Sequence, residues 1–116
     1  MSEPPLLDES VLDDMTAHIG AAAVRSVLAL FVEETRGFVR TIGAVSGQPE
    51  ARDAARRAAH SLKSSAGQMG AAALSEAARL VEAAAQQDAG DLAGLAAALA
   101  RCADDTAAAI EARLGG

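Results

Sequence analysis

Hydrophobic residues recur along this chain at steps of three and four, the spacing of one face of an α-helix, and nowhere alternate as a half-buried strand would. Leu7, Val11, Leu12, Met15 and Ile19 mark a short first helix over about 8–19, with Gly20 as its stop. Val24, Leu28, Phe31, Thr35, Phe38, Ile42 and Val45 follow as a second seam, in a rhythm that suits a left-handed bundle. The run Ser46, Gly47, Gln48, Pro49 breaks it, and Pro49 fits the first turn of a third helix that reaches Met69. Gly70 permits a tight turn into a fourth helix, whose stripe is Leu74, Ala77, Ala78, Val81, Ala84 and Ala85, up to about Gln87. Asp88, Ala89, Gly90 and Asp91 read as a connector with Asp91 as N-cap. Leu92, Leu95, Leu99, Cys102, Thr106, Ala109 and Arg113 carry the last seam. Four long helices joined by short loops predict an all-α, up-down-up-down four-helix bundle, with the short additional N-terminal helix covering one end. Residues 1–116 read as a single domain, 1–7 as a flexible N-terminus and 115–116 as a frayed C-terminus.

Composition narrows what such a bundle can be. Hydrophobic residues make up 51% of the chain, yet only Phe31 and Phe38 are aromatic and much of the rest is alanine, so the core must be thin and the helices close. No run approaches the roughly 20 apolar residues of a membrane span, and Met1 to Pro5 lack the layout of a signal peptide, so a soluble, cytoplasmic protein is expected. A start at Met1 and an end soon after the last helix fit a free-standing carrier and equally a piece of a longer chain. The single cysteine, Cys102, falls on an apolar stripe and reads as a buried, inert thiol. Two histidines far apart in sequence make a structural zinc site improbable. A formal net charge of −6 argues against nucleic acid as a partner.

The third helix holds the candidate chemistry. Ala55, Ala59, Leu62, Ala66 and Met69 form its apolar stripe, and at about 100° per residue His60 points roughly 140° away from the stripe's centre, outward. On the histidine's own side lie Arg56, Lys63, Ser64 and Gly67, two cations and two very small residues. An exposed nucleophile beside positive charge, on a surface with nothing to obstruct a partner, suits receipt of a phosphoryl group from another protein. Arg52, Arg56, Arg57 and Lys63 place four of the ten basic residues around His60, where they would draw an acidic, phosphoryl-bearing pocket. His18, near the end of the first helix, reads as a partner of the last carbonyls, and Met15, Met69 and the phenylalanines as core filler. Glu33, Glu34, Asp104 and Asp105 read as solvated faces.

The run His60, Ser61, Leu62, Lys63, Ser64, Ser65, Ala66, with Met69, Gly70 and Ala71 beyond it, resembles the core of the histidine-containing phosphotransfer (HPt) family. The likeness spans residues 59–71; Ser64 stands where many members have glycine, which keeps the surface small. The resemblance implies that His60 is the phosphorylated residue and Lys63 its cationic neighbour. It also implies that Glu82, 22 residues on, hydrogen-bonds the ring. The hairpin through Gly70 supports that pairing, since His60 lies 10 residues before the glycine and Glu82 lies 12 after it.

The implied function is a phosphoryl shuttle between aspartates of receiver domains, from a hybrid sensor kinase to a response regulator, by attack of the neutral imidazole on phospho-aspartate. Glu82 would fix the ring's tautomer and Lys63 would offset phosphoryl charge. Mg2+ is expected from the receiver, because no carboxylate cluster with ligand spacing surrounds His60. With no glycine-rich phosphate loop there is no ATP site, so the chain reads as a monomeric carrier and not a kinase. The competing reading is a non-catalytic helical adaptor whose histidine is incidental, and periodicity alone does not exclude it.

Overall fold

A computed structural model of the chain describes residues 3–44, 48–87 and 91–115. It contains five helices: α1 (Glu9–Ile19), α2 (Ala21–Gly43), α3 (Pro49–Gln68), α4 (Ala72–Gln87) and α5 (Leu92–Gly115). No strand occurs among the described residues, and none of their helices is long and apolar enough to cross a membrane. Val45 of the expected second seam, Ser46 and Gly47 of the expected break, Asp88, Ala89 and Gly90 of the expected connector, Met1, Ser2 and Gly116 lie outside the described residues.

The helix ends follow from local chemistry. Asp8 caps α1, its Oδ1 accepting from the Ser10 N–H at 3.0 Å, and Gly20 ends the helix at φ +87°. Pro49 occupies the first turn of α3, where its missing N–H costs nothing. At the other end the Gly70 N–H donates to the Gly67 carbonyl (3.3 Å) and the Ala71 N–H to the Ala66 carbonyl (2.8 Å), the paired bonds of a Schellman turn with Gly70 at φ +76°. A Cβ at this glycine would sit 3.0 Å from Val11 Cβ and 3.1 Å from the Asp8 carbonyl oxygen, so both dihedral and space demand glycine. Asp91 caps α5 as expected, accepting from the Gly94 N–H at 2.9 Å.

Packing joins α2 to α3, α3 to α4, α4 to α5 and α5 back to α2, with α1 against α2; α3 and α4 share the most extensive contact. Leu12, Leu28, Ile42, Leu62, Leu74, Val81, Leu99 and Ile110 are fully buried, and Ala55, Ala59, Ala66 and Ala78 fill the space between them. Met15, Phe38 and Met69 pack on this core while only partly buried.

Three expectations change. The buried stripe of α5 is Ala96, Leu99, Ala103, Thr106 and Ile110, rotated from the seam through Leu95, Cys102, Ala109 and Arg113. Alanine fills so many positions of this helix that it is apolar nearly all round, and periodicity sets its rotation only loosely. Cys102 consequently lies half-buried at the edge of the core, where burial pushes its thiol pKa up and keeps it protonated. Ile19, the last residue of α1, is exposed. Described residues near both ends of the chain take part in the fold. Pro5 accepts from the Ala73 N–H (2.9 Å), the Asp8 N–H donates to the Gly70 carbonyl (2.7 Å), Leu7 packs on the core and Gly115 completes α5.

Candidate functional site

The phase of α3 sets the site. With Ala55, Ala59, Leu62 and Ala66 turned into the core, the His60 side chain projects outward and is 60% exposed. Across from it, Glu82 lies on the α4 face that packs against the bundle, and its side chain is only 10% exposed. A carboxylate this enclosed requires partners for its oxygens. It has one for each: His60 Nδ1 lies 2.7 Å from Oε2, and Lys63 Nζ donates to Oε1 at 2.7 Å. The helical repeat places Lys63 one turn beyond His60, so both reach the same acid from one side.

Electrostatics assign the protons. The Lys63 ammonium beside Glu82 holds its carboxyl below the ordinary value; burial opposes this and the His60 bond assists it. Ionised at neutral pH, the carboxylate only accepts hydrogen bonds, so Nδ1 is the protonated ring nitrogen and donates to Oε2. In the neutral ring, Nε2 is then the nitrogen that holds the lone pair. This geometry can hold an imidazole in one tautomer and steady positive charge that develops on it.

The same shift predicts how stability depends on pH. Because the folded-state pKa of Glu82 is depressed, the stability that its ionised form contributes is present above the ordinary glutamate value of about 4.3 and is lost as pH falls through the folded value. Urea titrations of wild type and Glu82→Gln are therefore expected to differ most near neutral pH and to converge below about pH 4.3. A difference that stays constant down to pH 3 would assign the ionisation wrongly.

The basic residues around the site are less free than the sequence suggests. Asp53 takes both neighbouring arginines, Arg56 Nη2 at 2.9 Å and Arg57 Nε at 3.2 Å, and is itself pulled to lower pKa chiefly by its hydrogen bond with Arg56. Arg52 and Arg56 line a shallow cleft between α3 and α4 together with Pro49, Asp53, Ala85 and Gln86. Ser64 and Gly67 are exposed on the face that carries His60, and a Cβ at Gly67 would meet only Ser75 Oγ, at an ordinary 3.7 Å. A small side chain at this position would therefore fit against α4 without a clash. His18 donates from Nδ1 to the Asp14 carbonyl at 2.7 Å, as expected of a histidine in a last helical turn. Glu33, Glu34, Asp104 and Asp105 are exposed.

Two contributors escaped the sequence reading. Asp53 was discernible, since its spacing to Arg56 and Arg57 is the i+3 and i+4 of helix ion pairs. Ser75, whose hydroxyl donates to the Lys63 carbonyl at 2.9 Å, was not, because only the docking of α4 on α3 brings them together.

Comparison with curated proteins and with solved structures gives no match. The family model of the Hpt domain, in contrast, matches residues 26–113. That span runs from the second turn of α2 to near the end of α5 and takes in both helices that build the His60 site. The chain belongs to the Hpt domain family, the phosphotransfer modules of two-component signalling.

Proposed function

We propose that the chain relays a phosphoryl group between receiver-domain aspartates, from a hybrid sensor kinase to a response regulator, through His60. The observation that carries the reading is the 2.7 Å bond from His60 Nδ1 to a buried, ionised Glu82, which leaves Nε2 as an exposed nucleophile. In the transfer the Nε2 lone pair forms a bond to phosphorus, and the bond from phosphorus to the aspartyl oxygen breaks, returning that electron pair to the receiver's carboxylate. The ring gains positive charge while Nδ1–H stays on Glu82, which offsets it. Reversal delivers the group to a second aspartate.

Lys63 has a part that shifts during the cycle. At rest it is bound to Glu82; its side chain is 34% exposed and one turn from His60, within reach of the phosphoryl oxygens once these arrive. Mg2+ belongs to the receiver in this scheme, since Glu82, the carboxylate at the ring, is committed to Lys63 and His60. The ring of neighbours α2, α3, α4, α5 with short connections fits an up-down-up-down bundle, in which the His60 face of α3 stays open to a docking partner.

The test is transfer itself: mixing the chain with a panel of phosphorylated receivers is expected to move label from at least one of them to the chain. Lys63→Ala and Glu82→Ala are each expected to slow that transfer about 10- to 100-fold without abolishing it, as fits loss of one charge-assisted contact of roughly 1.5–3 kcal/mol. Glu76→Ala, which frees only an exposed pair with Arg79, is expected to transfer at the wild-type rate. An effect of Glu76→Ala with none from Glu82→Ala would contradict the assignment.

A further inference from the structure

We infer that Ser75 is a positioning residue for the His60 site, setting the register of α4 against α3 so that Glu82 meets the imidazole. Its hydroxyl donates to the Lys63 main-chain carbonyl at 2.9 Å, a bond from a side chain of α4 to the backbone of α3. Most helix contacts are between side chains and tolerate sliding. A bond to a main-chain carbonyl does not, because that atom is fixed by the helical ladder of α3.

The location of the bond gives it leverage. Ser75 and Glu82 are seven residues apart, two turns and nearly the same face of α4, about 10.5 Å along the axis. The residue whose carbonyl receives the hydroxyl is the one whose ammonium binds Glu82, so Ser75, Lys63 and Glu82 close a loop through both helices. At one end of that loop the Gly70 turn fixes where α4 begins, and at the other Glu82 must satisfy two donors within 2.7 Å. A slide of α4 by even 1 Å stretches at least one of those bonds beyond the range of a short charge-assisted contact.

The effect on transfer rests on the function proposed above, but the effect on the ring does not. Nitrogen-15 spectra of His60 report which ring nitrogen carries the proton, and wild type is expected to show the Nδ1–H form. Ser75→Ala, a change that favours helix and so keeps the fold by circular dichroism, is expected to populate the Nε2–H form measurably and to slow transfer roughly 3- to 10-fold. Ser75→Thr, which keeps the hydroxyl, is expected to restore the wild-type spectrum. Ser65→Ala removes a hydroxyl that bonds within α3, to the Ser61 carbonyl, and is expected to leave the ring unchanged.

A wild-type ring spectrum in Ser75→Ala would overturn the inference. So would an equal change in the Thr variant or in Ser65→Ala, since the effect would then not follow the hydroxyl that crosses between helices. A shifted tautomer in Ser75→Ala, with no transfer by wild type, would keep the positioning role and reject the phosphotransfer reading.

Discussion

His60→Gln and His60→Ala are expected to abolish phosphoryl acceptance and to leave the fold nearly as stable as wild type. Acceptance depends on one atom: without Nε2 there is no nucleophile of this type on the exposed face, and Lys63, bound to Glu82, does not substitute. Stability depends little on the ring, which is 60% exposed and lies outside the apolar stripe of α3. Glu82 keeps Lys63 in either variant, so the buried carboxylate is not stranded. Water can take the place of the exposed ring at Oε2, so the expected loss is about 1 kcal/mol, below the roughly 1.5–3 kcal/mol of a charge-assisted bond left unreplaced. Labelling of either variant at near wild-type level would move the chemistry to another residue.

Leu62→Ala is expected to do the reverse, costing roughly 2–4 kcal/mol of stability in denaturant titration. Leu62 is fully buried two positions from the histidine, and the other buried residues of its helix, Ala55, Ala58, Ala59 and Ala66, are all alanines. Alanines cannot rotate into the hole that truncation leaves, so the cavity stays open and its lining loses contacts outright. For a domain of this size that is a large part of the total. A loss below about 0.5 kcal/mol would mean that α3 is rotated from the phase described here. His60 would then lose its outward position. The two substitutions together therefore separate the chemistry of one helix face from the packing of the other.

The elements that sequence made legible share a physical property. In α2 and α4 a few Leu, Ile, Val and Phe residues, and in α3 Leu62 with a row of alanines among charged and polar neighbours, mark one face, so the spacing fixes both the helix and its rotation. The placement of His60 outward and Leu62 inward follows from that contrast alone. Gly70 was equally readable, as a turn that requires φ above zero has few other solutions. The contact between His60 and Glu82 followed from counting outward along both arms of the hairpin and from the resemblance.

What stayed hidden needed three dimensions. In α5, alanine surrounds the leucines and removes the contrast, which is why its stripe came out rotated and Cys102 too deep. The binding of Lys63 to Glu82 at rest, and not to an open phosphate position, depends on how deeply Glu82 sits, and depth is not written in spacing. The anchoring of residues 5–8 on the Gly70 turn joins positions more than sixty apart through backbone groups, which carry no residue signature. Ser75 belongs to the same class: a serine in the first turn of a helix ordinarily bonds locally, and here it bonds across.

The most direct measurement is the position of the phosphoryl group after transfer. The chain, labelled from a phosphorylated receiver, is digested at alkaline pH and the modified peptide identified by tandem mass spectrometry. The account predicts an acid-labile, base-stable modification on the peptide containing His60, absent in His60→Gln. Label on another residue, or a modification that survives acid as a phosphoserine would, for example at Ser61, Ser64 or Ser65, would contradict it.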